Sequence, residues 1–297
     1  MPRKKNESNR VAIFMAAKYF FDGMSAKDIA KKINQELKLP KPLSRESIYP
    51  MLAEARRLKY IRLVPPLEEE MPKQIAQRFN CNEEHITVVR TPAKHLNEFV
   101  AYKAAEIALD LIRATAAATK KKEIGLGLGP GRATLDFCQH LGQLLQSETN
   151  VPKLNLHAIS AGCPARYPEY ASSSFFNLFP RNIVENRIGL FAETVVRCRD
   201  FEKIKTCYGV TEAFEAKKEI DLIITSMGDF NDEHDLLSTF LVQSGAPLKT
   251  LRDQGWIGSV QYRPYSKDGP IQENPDDMRA VTIFELDDFA TMAATKN

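Results

Sequence analysis

Four of the chain's 14 glycines stand at alternate positions, 125, 127, 129 and 131, in the stretch GLGLGPGRATL, which follows directly on an apolar run beginning at Glu123. A strand that enters a helix through such a loop brings backbone amides close to the positive end of the helix, where an anion is stabilised. Arg132 and the Thr134 hydroxyl are further donors at the start of that helix. A phosphate fits this description. The loop lacks the Lys-Ser/Thr ending of a nucleotide P-loop, and the third glycine of a dinucleotide fingerprint is misplaced, so neither ATP nor NAD is indicated. The same glycines are also compatible with nothing more than tight packing of strand against helix.

The segments around the loop alternate between strand and helix patterns. Strands are expected at His85–Arg90, Glu123–Gly129, Leu154–Ser160, Glu193–Cys198, Ile220–Gly228, Ile257–Tyr265 and Ala280–Glu285. A long helix is expected over Ala93–Thr119, with Leu96, Val100, Ile107, Leu111 and Ala114 on one face. Alternation of this kind predicts an α/β domain with a mostly parallel sheet covered on both faces, whose ligands bind beyond the carboxyl ends of the strands. A second loop there, SMGDFNDEHDLL, gathers Asp229, Asp232, Glu233, His234 and Asp235. It has the residues for holding a sugar hydroxyl, a general base or a metal, and its acidic residues equally suit a solvated helix start. His85, His95, His140 and His157 have no partner at metal-ligand spacing, so no metal is expected.

The net charge of +3 conceals an asymmetry: residues 1–64 carry 15 basic against 6 acidic side chains, and the remainder 26 against 32. A compact basic segment attracts polyanions, although a merely solvated lysine-rich surface has the same composition. Within it, helical spacing predicts a first helix over Asn9–Phe21, stopped at Gly23. A second is capped by Ser25 and Asp28 with Ile29 and Ile33 inward, and a third begins at Ser44 with Ile48, Met51, Leu52, Ala55 and Leu58 on one face. Pro50 should kink this third helix or make it restart near Tyr49. KYIRLVPP then has the alternation of a wing-like strand. The pattern is a winged helix-turn-helix whose third helix suits the major groove of double-stranded DNA. Its candidate contacts are Arg45, Glu46, Ser47, Tyr49, Arg56 and Arg57 on the helix, and Lys59 and Arg62 after it. Three-helix modules also dock proteins, which keeps that alternative open.

The expected organisation is a DNA-binding head over residues 1–66, a linker helix over 67–82 and an α/β domain over 83–297. Hydrophobic residues at 43% and charged residues at 27% are those of a folded globular chain. No run has the roughly 18 uncharged apolar residues of a membrane span, and no apolar leader follows the N-terminus, so a cytoplasmic protein with no membrane partner is expected. The five cysteines, Cys81, Cys138, Cys163, Cys198 and Cys207, are scattered, never spaced CxxC, and expected to be reduced.

The order of these motifs resembles that of the SorC/DeoR-type bacterial transcription regulators with a sugar-binding effector domain. The likeness rests on SAKDIAKKI, LSRESIYPMLAEARRLKYIRL, GLGLGPGRATL, IDLIITSMG and LRDQGWIGSVQYRPYSKDG, and it covers nearly the whole chain. It implies a winged helix-turn-helix joined to a Rossmann-like domain of the sugar-phosphate isomerase type. It further implies a phosphorylated sugar effector, a homodimer or homotetramer, no cofactor and no catalytic residue. Phosphate contacts would fall on Gly129, Gly131, Arg132 and Thr134, and sugar contacts on Asp229 and Asp268. Ser259 stands where an Asp commonly follows Gly258, and Tyr49-Pro50 replaces the usual Ser-Arg in a manner similar to PadR-like winged helices. The family pattern continues beyond ELDDFATMA with a further strand and helix, so the resemblance implies either a shortened effector domain or a divergent member whose effector site differs. Two rival readings remain open: an isomerase or hydrolase with Asp229 or His234 as acid/base, and a ligand-sensing module whose head docks protein.

Overall fold

The computed structural model describes residues 2–37, 39, 41–58, 60–61, 64–92, 96–148, 150–162, 167–232, 235–243 and 248–295, with the backbone alone at 2–8, 96, 147, 243 and 293–295. The chain divides into two compact units, Met1–Pro65 and Pro66–Asn297.

The first unit holds α1 (Pro2–Phe21), α2 (Ala26–Glu36) and α3 (Arg45–Arg57). Gly23, at φ 87°, ends α1, and the Met24 amide turns back to the Tyr19 carbonyl at 3.0 Å. Ser25 caps α2, accepting from the Asp28 amide at 3.3 Å and donating to its carboxylate at 2.5 Å. Ala12, Ala16, Ile29, Ile33 and Ile48 close a small core. The long α2–α3 connection is held by Asn34, whose Nδ2 donates to the Leu43 carbonyl at 2.9 Å and whose Oδ1 accepts from the Leu43 amide at 2.8 Å.

Helix α3 runs through Pro50 as one element, without a restart near Tyr49. Pro50 and Glu46 both face solvent, so water can satisfy the Glu46 carbonyl that proline deprives of its donor. The expected strand KYIRLVPP is not formed at Tyr60–Ile61 or Val64–Pro66, and Lys59, Arg62 and Leu63 lie outside the described residues. Tyr60 packs edge-on against Phe14, with ring centroids 5.7 Å apart.

The second unit opens with β1 (Leu67–Glu68), α4 (Glu70–Phe79) and β2 (Val88–Val89); β1 and β2 pair antiparallel. The linker helix is therefore shorter than expected and begins beyond a paired strand. A parallel sheet follows, ordered β5 (Val184–Ile188), β4 (Lys153–Ala158), β3 (Glu123–Leu128), β7 (Leu222–Ile224). Helices α5 (Leu96–Thr119) and α6 (Arg132–Ser147) pack together, and Ile112, Leu141 and Leu145 share a core with Ile124, Leu126, Leu154 and Leu156. Gly125 is required by close approach: a Cβ there would lie 1.9 Å from the Glu219 carbonyl oxygen. Part of the glycine run thus serves packing alone.

Strand β5 was not foreseen. Its sequence VENRI exposes Glu185, Asn186 and Arg187, the polar composition of an edge strand. The expected strand Glu193–Cys198 is shorter, β6 (Val195–Arg197), and pairs antiparallel with β12 (Met278–Ala280) outside the parallel sheet. Ile220–Gly228 is two strands: β7 leaves the parallel sheet at Thr225–Ser226, and β8 (Met227–Asp229) enters an antiparallel sheet with β9 (Trp256–Val260), β10 (Arg263–Ser266) and β11 (Gly269–Pro270). Ile257–Tyr265 is correspondingly a hairpin. Short helices α7 (Phe201–Lys205) and α8 (Thr211–Glu215) precede β7, and α9 (Leu236–Gln243) and α10 (Leu248–Asp253) precede β9. Leu237, Phe240, Leu241, Trp256 and Tyr262 form a separate cluster, and α11 (Leu286–Thr295) completes the unit. No described helix is long and apolar enough to cross a membrane.

Candidate functional site

On α3, Arg45, Glu46, Tyr49, Arg56 and Arg57 are exposed, Tyr49 by 53%. Ile48 and Ala55 are buried on the opposite face. Arg57 is not free, because its Nε and Nη2 donate to the Glu54 carboxylate at 2.7 and 2.6 Å. That hydrogen bond holds the Glu54 carboxyl below its usual range. Glu46 is lowered too, first by a bond from its own amide and then by the Ser44 hydroxyl. Ser47 is half-buried and structural in its contacts, its Oγ accepting from the Ser44 amide at 3.2 Å at the helix start. Arg45, Tyr49 and Arg56 therefore form the face available to a partner. Lys59 and Arg62 lie outside the described residues.

In the second unit the site is set by topology. Strand order reverses between β3 and β7, since β4 and β5 lie on one side of β3 and β7 on the other. Helix connections splay apart at such a point and leave a crevice beyond the carboxyl ends of the strands. A cleft of about 140 Å³ occupies that position. Its walls are Pro130–Ala133 at the start of α6, Ser226–Gly228 where β7 passes into β8, Asp232 and Asp235 beyond β8, and Ser259, Gln261 and Tyr262 on the β9–β10 hairpin.

Gly131 precedes α6 at φ 111°, a conformation that glycine adopts without strain. No side chain caps α6, so the amides of Arg132, Ala133 and Thr134 have no intrahelical acceptor and face the loop. The Gly129 amide donates to the Ile224 carbonyl at 2.8 Å and the Gly131 amide to the Tyr170 carbonyl at 3.0 Å. The buried Thr134 hydroxyl donates to the Pro130 carbonyl at 3.3 Å. These bonds fix the loop's shape and leave the first-turn amides and Arg132 as anion donors. Arg132 Nη2 lies 3.2 Å from Asp232 Oδ2.

Asp235, 6% exposed, caps α9: its Oδ2 accepts from the Ser238 amide and hydroxyl at 2.8 and 2.9 Å, and Ser259 Oγ stands 3.4 Å from Oδ1. Burial pushes its carboxyl above the ordinary carboxylate range, against the opposing pull of those bonds. Asp229 and Asp268 are not brought to the cleft. Asp229 is exposed and accepts from the Asn231 amide at 2.8 Å, while the Asp268 amide donates to Ser266 Oγ in the turn between β10 and β11. His234 and Glu233 lie outside the described residues, as does Cys163. Among the described residues, no group of three His, Cys, Asp or Glu side chains could hold a metal ion.

Ser226, Gln261 and Tyr262 lie in the quoted segments IDLIITSMG and LRDQGWIGSVQYRPYSKDG but were not among the expected site residues. Gln261 and Tyr262 have φ values of 52° and 65° and span the hairpin between paired Val260 and Arg263. This is the turn that Asn-Gly or Gly-Gly ordinarily marks, and Gln-Tyr conceals it.

No protein-family model matches the chain, and neither does any curated protein. Solved structures do. The full-length sorbitol operon regulator SorC from Klebsiella pneumoniae aligns over 93% of this chain and 83% of its own at 14% identity, with a TM-score of 0.56. A transcriptional regulator from Streptococcus pneumoniae aligns over 72% and 78% at 13% identity, with a TM-score of 0.54. A DeoR family transcriptional regulator from Listeria monocytogenes covers 72% and 79% at 13% identity, with a TM-score of 0.53. At these identities the likeness is one of fold: the α/β architecture of this chain is similar to that of SorC- and DeoR-type regulators.

Proposed function

We propose that this chain is a sequence-specific DNA-binding transcriptional regulator, not an enzyme, whose DNA affinity is controlled by a small phosphorylated sugar bound in the second unit. The observation that carries the reading is the presence in one chain of two complementary binding surfaces. A net-positive three-helix unit leaves Arg45, Tyr49 and Arg56 exposed on α3, and an uncapped α6 opens into a polar cleft with Arg132 at its first position. The first suits the phosphates and major groove of DNA. The second suits a small phosphate ester, with its anion at the α6 amides and its hydroxyls towards Ser226 and Ser259. The shared fold of the sorbitol operon regulator supports both halves of the reading.

On this reading Arg45, Tyr49 and Arg56 meet the operator, with Lys59 and Arg62 on its backbone. A homodimer or homotetramer presents paired heads to half-sites about 34 Å apart or a multiple of that spacing. The sugar phosphate acts by favouring one quaternary arrangement over another.

The test is fluorescence anisotropy with DNA from upstream of the protein's own gene, titrated with salt, with and without a panel of pentose and hexose phosphates. Saturable binding that weakens steeply with salt and shifts about tenfold with one sugar phosphate, about 1.4 kcal/mol of coupling, is the expected outcome. Absence of DNA binding at low salt overturns the regulator reading. Turnover of a panel member replaces it with an enzyme.

A further inference from the structure

The β9–β10 hairpin carries two features that its own fold leaves uncompensated. Gln261 and Tyr262 occupy consecutive left-handed conformations without being glycine, which is a strained backbone for both. Strain of this kind persists where the surrounding structure enforces it, and it concentrates at ligand sites. The second feature is in the side chain. Gln261 is 3% exposed and its Nε2 has no hydrogen-bond partner among the described residues, while its Oε1 faces the Ser160 hydroxyl at 3.5 Å. A buried amide nitrogen with two N–H donors and no acceptor is a desolvated group left unpaid.

Gln261 is also part of the cleft wall, with Ser259 and Tyr262 beside it, and shares the cleft with Pro130–Ala133 at the α6 N-terminus. The geometry points to Gln261 as a specificity-determining ligand contact: its Nε2 donates to an uncharged acceptor oxygen, a hydroxyl or carbonyl, on the organic part of the phosphorylated ligand whose anion sits at α6. This rests on the reading of the cleft given above and adds to it which residue reads the organic moiety. A site built to hydrogen-bond an oxygen rejects analogues that lack it, because the donor is then left buried and unpaired. The hairpin turn supplies the placement. The hairpin places Ser259, Gln261 and Tyr262 together in the cleft wall.

The experiment compares the full-length protein with Gln261→Met and Gln261→Gly by isothermal titration calorimetry and thermal unfolding. The probes are inorganic phosphate and a panel of pentose and hexose phosphates. Methionine keeps the bulk and removes the unpaired donor. Glycine relieves the left-handed backbone and serves if the methionine variant does not fold. The expected result has two parts that move in opposite directions: the unliganded Gln261→Met protein melts at or above the parent temperature, and it binds the best sugar phosphate at least tenfold more weakly with inorganic phosphate affinity unchanged. A purely structural role for Gln261 lowers the melting temperature of the methionine variant and leaves affinity intact, and that result overturns the inference. Arg132→Ala separates the two levels of the argument. Loss of sugar-phosphate binding in Arg132→Ala but not in either Gln261 variant sinks the role of Gln261 and leaves the cleft assignment standing. Failure of the parent to bind any member of the panel removes both.

Discussion

Arg132 and Asp232 join the first residue of α6 to the loop beyond β8, with Nη2 and Oδ2 3.2 Å apart and both side chains more than a third exposed. An exposed pair of this kind adds little to stability, and its position at the cleft gives it a different consequence. A phosphate arriving at the α6 amides competes with Asp232 for the guanidinium. Asp232→Asn should therefore raise affinity for inorganic phosphate several-fold, and Arg132→Ala should lower it at least tenfold. Calorimetric titration reads both, and equal affinities in all three proteins would place the anion elsewhere.

Asn34 replaces with side-chain bonds what a short turn would supply with backbone bonds. Asn34→Ala removes two hydrogen bonds to Leu43 and should cost about 1–3 kcal/mol in the first unit. Denaturant unfolding measures this, and binding to operator DNA should weaken in parallel. An unchanged unfolding midpoint would show that the α2–α3 connection is held by other contacts.

The arginines of α3 should separate in their effects on DNA. Arg45 is exposed without a resolved partner, whereas Arg57 is engaged with Glu54 at 2.6 Å. Arg45→Ala is expected to weaken binding and reduce the salt slope by about 1, with a smaller effect from Arg57→Ala. Anisotropy at several salt concentrations checks the order. The reverse order would turn the helix about its axis on the DNA.

Arg263, 4% exposed, donates to Glu273 at 2.9 Å and also to Glu285, and Arg279 joins the same two carboxylates at 3.2 and 2.6 Å. Burial pushes the Glu273 carboxyl above its ordinary range, with both guanidiniums pulling the other way. Removing Arg263 leaves two carboxylates sharing the single guanidinium of Arg279 in a largely buried network. Arg263→Met should destabilise the second unit by about 3–5 kcal/mol, visible as a lowered denaturation midpoint, and a change below about 1 kcal/mol would mean that Arg279 takes over the pairing.

His157 is fully buried on β4, and among the described residues neither ring nitrogen has a hydrogen-bond partner. Burial lowers its pKa, opposed by Glu219 and Asp221. The unfolded chain therefore binds the proton more readily than the folded one, so stability is complete above the unfolded value near 6.5 and declines as pH falls below it. Unfolding measured between pH 7.5 and about 5 should show this loss, and His157→Leu should flatten it. A parent curve that is level across the range would contradict the assignment.

The alternation of strand and helix was legible in sequence because burial on both faces makes a parallel strand largely apolar, as at Ile124–Leu128. The helix starts at Ser25 and Ser44 were legible because an N-cap is a local bond. The glycine-rich entry into α6 was legible for the same reason: Gly131 and Arg132 are neighbours in the chain. Edge strand β5 was not, since a polar strand gains its pairing from β4 and has no apolar signature. The split of Ile220–Gly228 between two sheets depends on which partners receive β7 and β8, 30 to 100 residues away, and no local pattern encodes that choice.

The carboxylates divide along the same line. Asp229 and Asp268 have the residue type for a sugar contact, yet short-range turns hold them outside the cleft. Ser226, Ser259 and Gln261 enter it because the crossing of β7 into β8 and the hairpin after β9 converge on the end of β3. Sequence alone determined the three helices and basic charge of the head and the glycine-rich entry into α6, all of which depend on periodicity, charge and bonds between near neighbours. Only the tertiary structure decided which polar side chains face that entry, because facing is a relation between segments distant in the chain, set by strand order and by the two left-handed residues at the hairpin tip.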